Sequence, residues 1–150
     1  MYRTHSEEDT KNFGAALGAH LRPGDSLLIS GDLGAGKSVL ARGAARALGV
    51  TSSMPSPTFT LMQPYGSVCH FDLYRLEDED EFYQAGLDEF TGGNWIALIE
   101  WPFEGMDVTP RVEASIGRGE AEDERMIRLT YTDMDGRGEG IADALRAWEA

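Results

Sequence analysis

A short apolar segment that runs directly into a glycine-rich loop constrains this chain more than any other feature. Residues Ser26 to Ser38 read SLLISGDLGAGKS and match the pattern G-x-x-x-x-G-K-[ST] at every fixed position. An Ala- and Leu-rich helix, Val39 to Leu48 and closed by Gly49, is predicted to follow. This order of strand, loop and helix is the context that a Walker A phosphate-binding loop requires.

The residue types in the loop suit a bound triphosphate. Several backbone N–H groups must point inward at once, and Gly31, Gly34 and Gly36 permit the backbone conformations that this needs. Lys37 would place a positive charge at the β- and γ-phosphates, and the Ser38 hydroxyl, at the start of the helix, can bind Mg²⁺. An ordinary glycine-rich turn is the alternative. Because the motif stands in its required context, we predict that the chain binds a nucleotide with Mg²⁺.

Two further apolar segments end in carboxylates. Val68 to Leu73 is predicted to be a buried strand with Asp72 near its carboxyl end, and Trp95 to Ile99 another that delivers Glu100. In open α/β sheets the ligand lies outside the carboxyl ends of the strands. An edge charge without a role is the alternative for each carboxylate. Because several strands deliver polar groups to one place, we predict that Asp72 and Glu100 are site residues.

The remaining segments complete an α/β pattern. We predict a three-layer P-loop NTPase-like fold with a mostly parallel central sheet and a C-terminal antiparallel hairpin, and expect residues 1–150 to form one domain. The predicted elements are a helix from Glu7 to Leu21, strands from Ser26 to Ser30 and Phe59 to Gln63, a hairpin of Val112 to Ile116 and Met126 to Tyr131, and a helix from Glu139 to Trp148.

Two polar segments have both a structural and a functional interpretation. The loop from Thr51 to Thr58 either only connects two elements or acts as a switch that presents Thr58 to the γ-phosphate or its metal. The acidic run from Leu76 to Phe82 suits the start of a short helix with a solvated face. Docking of a basic partner is its functional alternative.

Charge and composition limit the partners. The chain has 13 Lys and Arg against 26 Asp and Glu, a net charge of −13, which argues against binding a nucleic acid or an acidic membrane by itself. The single Cys69 cannot form an internal disulfide, and the scattered His5, His20 and His70 do not suggest a zinc site, so we interpret these histidines as structural or surface residues. We find no signal peptide or membrane-spanning segment and expect a cytoplasmic protein.

Four motifs together resemble the bacterial TsaE family, also called YjeE. They are GDLGAGKS, SPTF at Ser56 to Phe59, HFDLYRL at His70 to Leu76 and IEWP at Ile99 to Pro102. The likeness extends from Thr10 to the predicted hairpin. It implies an ATPase that assists formation of threonylcarbamoyladenosine in tRNA together with two partner proteins, TsaB and TsaD. The tRNA contact would then belong mainly to the complex.

The resemblance also implies roles for individual residues. Ser38 and Glu100 would hold Mg²⁺, Thr58 would act as the switch residue, and Asp72 would lie near the attacking water. Ser38 stands where the family more often has threonine, and the hydroxyl is retained. The remaining implied nucleotide contacts are the phosphate-loop residues Leu33, Gly34, Ala35, Gly36 and Lys37, then Arg125, and Thr10 near the base.

Hydrolysis is expected to be slow in the isolated chain and faster in the complex. The sequence shows no obvious arginine finger, and Arg75, the nearest candidate, is better explained by pairing with the acidic run. Two other functions fit the same phosphate loop. One is a small-molecule or nucleotide kinase, and the other is a nucleotide-gated binding module with little hydrolysis.

Overall fold

The structure, a computed structural model, describes residues 1–55 and 61–150. The strands in these ranges are β1 (Tyr2–Thr4), β2 (Ser26–Ser30), β3 (Met62–Tyr65), β4 (Val68–Asp72), β5 (Ile96–Glu100), β6 (Arg111–Arg118) and β7 (Arg125–Thr132). The α-helices are α1 (Glu7–Gly18), α2 (Lys37–Ala47), α3 (Glu79–Gln84) and α4 (Arg137–Ala144), with short 3-10 helices at Leu87–Phe90 and Arg146–Trp148. None of these helices is long and apolar enough to cross a bilayer.

All seven strands form one sheet in the order β1-β7-β6-β2-β5-β4-β3. The four central strands, β6, β2, β5 and β4, are parallel, whereas the pairs β1–β7, β7–β6 and β4–β3 at the two edges are antiparallel. This confirms the predicted α/β fold class and the C-terminal hairpin. The parallel centre places the carboxyl ends of β2, β4 and β5 side by side at one edge of the sheet.

Helices cover both faces of the sheet because the central strands are apolar on both sides. Leu27 and Ile29 of β2 belong to one core cluster, which includes residues of α1, α2 and α4, while Leu28 between them belongs to the other. That second cluster includes Phe82 of α3 and Leu87 of the first 3-10 helix. The result is the predicted three-layer arrangement.

The helices α1 and α2 cross in backbone contact at glycines. A Cβ atom added at Gly14 would lie 2.4 Å from the carbonyl oxygen of Leu40, and one at Gly43 would lie 2.1 Å from that of Lys11. Any larger residue at these positions would push the helices apart. This crossing holds α2, and with it the phosphate loop, against the sheet.

Several predicted boundaries need correction. The first helix ends at Gly18 rather than Leu21, because the hydrogen bonds from the His20 and Leu21 amides span three residues and tighten the last turn. The second begins at Lys37, two residues earlier than predicted, and the C-terminal helix breaks after Ala144 into a 3-10 turn. Strand β1 was not predicted.

Candidate functional site

The loop between β2 and α2 has the backbone conformation that its glycines predict. The φ angles of Gly31, Gly34 and Gly36 are +154°, +79° and +104°, all in the region that residues with a Cβ atom rarely adopt. At Gly31 an added Cβ would also lie 2.3 Å from the carbonyl oxygen of Ile116 on β6. Glycine is therefore required here by both conformation and space.

Lys37, the first residue of α2, is directed into this loop. Its side chain is 5% exposed, and Nζ donates hydrogen bonds to the carbonyl oxygens of Gly31 at 2.8 Å and Asp32 at 2.6 Å. Nζ also lies 4.1 Å from the centre of the Trp101 ring, a cation–π contact. Burial lowers the pKa of Lys37, and the nearby carboxylates of Glu100, Asp32 and Asp72 oppose that shift. The loop thus holds a buried ammonium among acidic groups.

A chain of hydrogen bonds joins α2 to two strands of the sheet. The Ser38 hydroxyl donates to Oε1 of Glu100 at 2.9 Å, and Nε2 of His70 lies 2.5 Å from Oε2 of the same carboxylate. His70 and Glu100 are 1% and 2% exposed. A hydroxyl and a carboxylate oxygen in contact are the hard oxygen ligands that Mg²⁺ prefers, so Ser38 and Glu100 fit the predicted metal site.

Asp72 joins this group through the pairing of β4 with β5. The two strands are parallel, and their register sets Asp72 opposite Glu100 at the last position of each strand. Asp72, Glu100, Lys37 and Ser38 line one cavity of about 360 Å³. The Oδ1 atom of Asp72 accepts a hydrogen bond from the Tyr74 amide at 3.1 Å, which fixes its orientation.

Trp101 closes one side of this cavity in an unusual conformation. Its φ is +57°, which is rare for a bulky residue and costs conformational energy. Its amide donates to the carbonyl oxygen of Ile29 at 3.2 Å, and its ring lies 4.7 Å from that of Tyr74. These contacts hold the indole ring over Lys37.

A second cavity, of about 150 Å³, lies on the other side of the loop. Thr10, Gly34, Gly36 and Arg125 are among its lining residues, so Thr10 and Arg125, whose nucleotide contacts the resemblance implies, both adjoin the phosphate loop. The Thr10 hydroxyl, however, is already bonded to Oγ1 of Thr4 at 2.6 Å and to the Ser6 carbonyl oxygen at 3.1 Å. Its use in nucleotide binding therefore remains a prediction.

The C-terminal hairpin holds the phosphate loop through two arginines. Nε of Arg125 donates to the carbonyl oxygen of Ala35 at 2.9 Å, and Nη2 of Arg118 donates to that of Gly34 at 3.2 Å. Both carbonyl groups belong to the phosphate loop, whose backbone amides are predicted to face the bound phosphates. Arg118 was not predicted, because its proximity to the loop depends on the pairing of β6 with β2.

The predicted side chains divide into three groups: those at the larger cavity, Thr10 and Arg125 at the smaller one, and Thr58. Lys37, Ser38, Asp72 and Glu100 meet at one cavity, and the exposed Leu33 contributes to its wall. Thr58 lies outside the described residues, so its switch role stays a prediction. The contact between His70 and Glu100 was not predicted; the spacing of His70 and Asp72, which places both side chains on one face of β4, could have indicated it.

No group of three or more His, Cys, Asp or Glu side chains in residues 1–55 and 61–150 is arranged to hold a metal ion. Ser38 and Glu100 would offer two protein oxygens to a metal ion. Mg²⁺ characteristically binds through one or two protein oxygens, with phosphate oxygens and water completing the octahedron. The site therefore suits a metal that arrives with a nucleotide rather than a resident ion.

Comparisons with known proteins show which proteins this chain resembles over most of its length. Residues 4–127 match the family profile described as "Threonylcarbamoyl adenosine biosynthesis protein TsaE". The protein of Bacillus subtilis (strain 168) named tRNA threonylcarbamoyladenosine biosynthesis protein TsaE is 38% identical, over 96% of this chain and 92% of the relative. The protein of the same name from Rickettsia bellii is also 38% identical, over 84% of this chain and 91% of its own length.

A solved structure shares the fold. The crystal structure of YdiB from Bacillus subtilis superposes with a TM-score of 0.73 at 32% sequence identity. The superposition covers 97% of this chain and 93% of that one. The two chains therefore share their overall fold.

Proposed function

The chain belongs to the TsaE family of threonylcarbamoyl adenosine biosynthesis proteins, and from this premise we propose that it is the ATP-hydrolysing subunit of a tRNA-modifying assembly. It acts in threonylcarbamoyladenosine modification of tRNA, as the names of its relatives indicate. We further propose that the chain binds ATP with Mg²⁺ and hydrolyses the ATP slowly on its own. In the cytoplasm, TsaD-like and TsaB-like partners would accelerate this hydrolysis.

The proposal that the chain hydrolyses ATP is supported mainly by one observation. A buried ammonium, a hydroxyl and two carboxylates from three separate segments, at Lys37, Ser38, Asp72 and Glu100, line one cavity. Lys37 and the loop amides can neutralise charge on the terminal phosphates. Ser38 and Glu100 would hold Mg²⁺, which adds charge neutralisation when it is bound.

Asp72 is proposed to orient the attacking water. It is the less buried of the two carboxylates and lines the same cavity, whereas both oxygens of Glu100 are already engaged by Ser38 and His70. Glu100 is proposed as the nearer metal ligand, because its Oε1 contacts the hydroxyl of Ser38, the other predicted ligand. Trp101 would limit the access of bulk water to the phosphates.

We expect slow hydrolysis by the isolated chain because the arginines that contact the phosphate loop are already engaged in supporting it. Arg118 and Arg125 both donate hydrogen bonds to carbonyl oxygens of the phosphate loop. In that position they support the loop rather than the γ-phosphate. We propose that partner binding completes the site, which is the usual way in which a slow P-loop enzyme is accelerated.

Complementation tests the cellular role. Bacillus subtilis cells depleted of their own TsaE protein would receive this chain or its Lys37→Ala variant, and threonylcarbamoyladenosine in their tRNA would be measured by mass spectrometry. We expect the wild-type chain to restore the modified nucleoside and Lys37→Ala to fail at equal protein level. Full restoration by Lys37→Ala would exclude the phosphate loop from the function.

An ATPase assay separates the proposal from the two other functions that share a phosphate loop. We expect the purified chain to release inorganic phosphate slowly, and to do so without any acceptor molecule. A phosphorylated product formed only when an acceptor is supplied would identify a kinase. ATP binding that strengthens partner association without cleavage would identify a nucleotide-gated module.

A further inference from the structure

A basic pocket lies at the opposite end of α2 from the phosphate loop. It has a volume of about 290 Å³ and is lined by Lys11 of α1, Arg42 and Arg46 of α2, and Ser52 and Ser53 of the following loop. Arg42 and Arg46 follow Ser38 at intervals of four residues, so they lie about 6 and 12 Å further along the helix axis. The basic pocket is therefore a separate site and not an extension of the nucleotide cavity.

Within the described ranges, the three cations of the basic pocket have no acidic partners. Neither Lys11, Arg42 nor Arg46 forms an ion pair with a carboxylate anywhere in the described ranges, although the chain has twice as many acidic as basic residues. By contrast, Arg137 pairs with Asp25 and Arg146 with Asp143. Like charges brought together repel each other. An anion that binds between them would relieve this repulsion.

The lining also has a pre-organised donor. Nε of Arg42 donates to the carbonyl oxygen of Met54 at 3.1 Å, and its two terminal nitrogens have no hydrogen-bond partner within residues 1–55 and 61–150. An arginine fixed in this way loses less side-chain entropy when it binds a carboxylate. The Ser52 and Ser53 residues, both exposed, add hydroxyl donors at the rim.

One wall of the basic pocket is apolar. Ala45 and Met54 are 1% exposed, and Val50 is half-buried beside them. A glutamate side chain suits this combination, because its methylene groups can pack on the wall while its carboxylate reaches the cations. A phosphodiester has no comparable apolar part next to its charge.

Net charge favours a protein over a nucleic acid as the occupant. A nucleic acid presents many phosphates along its length and needs an extended track of cations, whereas this chain has a net charge of −13 and groups only three cations here. We propose that the basic pocket is a docking site for an acidic segment of a partner protein, which inserts one or two carboxylate side chains.

Binding of a labelled acidic peptide tests this proposal. Fluorescence anisotropy would follow fluorescein-labelled hexaglutamate on the full chain at low salt, with a six-nucleotide uridine RNA as the second probe. The test variant is Lys11→Gln/Arg46→Gln. The control variant, Arg22→Gln/Arg128→Gln, removes the same charge from two exposed positions outside the basic pocket.

We expect the wild type and the control variant to bind the peptide with similar affinity, and the test variant to bind it at least about tenfold more weakly. Affinity for ATP should be equal in all three proteins, so a failure of this proposal is separable from a failure of the nucleotide site. No peptide binding by the wild type, equal weakening in both variants, or tighter binding of the RNA that depends on Lys11 and Arg46 would each overturn the proposal.

Discussion

Glu100 is held in place by side chains from two different elements. Its two carboxylate oxygens meet Ser38 of α2 and His70 of β4, and it is almost fully buried. A buried carboxylate is costly unless each oxygen has a partner. The pair of donors therefore fixes the direction in which Glu100 can offer a lone pair to a metal ion.

Replacing His70 should weaken metal binding more than nucleotide binding. In His70→Leu, Glu100 loses one donor and its orientation, so we expect affinity for Mn²⁺ in the presence of ATP, measured by electron paramagnetic resonance, to fall about tenfold, or about 1.4 kcal/mol. Metal-free ATP binding should change less than threefold. His70→Gln, which keeps a donor, should recover part of the loss. An unchanged Mn²⁺ affinity in His70→Leu would contradict this role.

Trp101 should report nucleotide binding directly. Its ring lies over the Lys37 ammonium, and a phosphate that attracts Lys37 must change this contact. We expect ATP to alter tryptophan emission in the wild type and in Trp95→Phe/Trp148→Phe, but not in Trp101→Phe. Calorimetry would establish that Trp101→Phe still binds ATP. An ATP-dependent signal that persists in Trp101→Phe would place the nucleotide elsewhere.

Cys69 should make the fold less stable in alkaline solution. Burial raises the pKa of its thiol from the ordinary value of 9.0 to about 12. As the pH rises above 9, the unfolded chain therefore loses this proton before the folded chain does. The stabilising contribution that is present below pH 9 is then lost, and the free energy of unfolding falls by up to about 1.4 kcal/mol per pH unit until the pH approaches 12. Urea unfolding of the wild type and of Cys69→Ala between pH 8 and 11 measures this loss. If the free energy of unfolding fell equally with pH in the two proteins, the raised pKa of Cys69 would be contradicted.

Among the elements, the crossing of α1 and α2 is the contact that tolerates the least change. Gly14, Gly18 and Gly43 bring the two backbones together, and each leaves no room for a methyl group. This close approach explains why α2, which is short and rich in alanine, nevertheless holds the phosphate loop in a fixed place. Helix propensity alone would not suffice for a helix of this length.

Gly43→Ala should destabilise the protein although alanine favours helices. The added Cβ would lie 2.1 Å from the carbonyl oxygen of Lys11, so we expect the free energy of unfolding to fall by about 1–3 kcal/mol in urea denaturation. Gly140→Ala in α4 is the matched control, because its Cβ would have no neighbour within 4 Å. It should be neutral or stabilise by about 0.5–1 kcal/mol. Equal effects of the two changes would rule out close packing as the cause.

Local sequence patterns predicted some elements better than others. Strand β2 and the phosphate loop followed directly from a run of apolar residues and a motif, since both depend on neighbours in sequence. Strand β1 could not be predicted, because its three residues carry no periodic pattern and pair with residues distant in sequence, in β7 and at Glu149. The end of α1 was missed for a related reason: Leu21 continues the helical spacing but is buried in the turn after the helix.

At the scale of the whole molecule, the site is assembled by the order of the strands. Residues as far apart as Lys37, Asp72 and Glu100 line one cavity because β2, β4 and β5 end at the same edge of the sheet. Sequence analysis anticipated this from the polar residues that follow each apolar run. It did not anticipate Arg118 or the His70–Glu100 bond, since these depend on strand register and side-chain direction, which a single sequence does not specify.

Isothermal titration calorimetry of ATP with Mg²⁺ measures whether the phosphate loop binds the nucleotide. We expect saturable one-to-one heat of binding to the wild-type chain. In Lys37→Ala, which should keep the wild-type circular dichroism spectrum, we expect no binding or an affinity at least about a hundredfold lower. Absence of binding heat in the wild type, or equal affinity in Lys37→Ala, would contradict nucleotide binding at the phosphate loop.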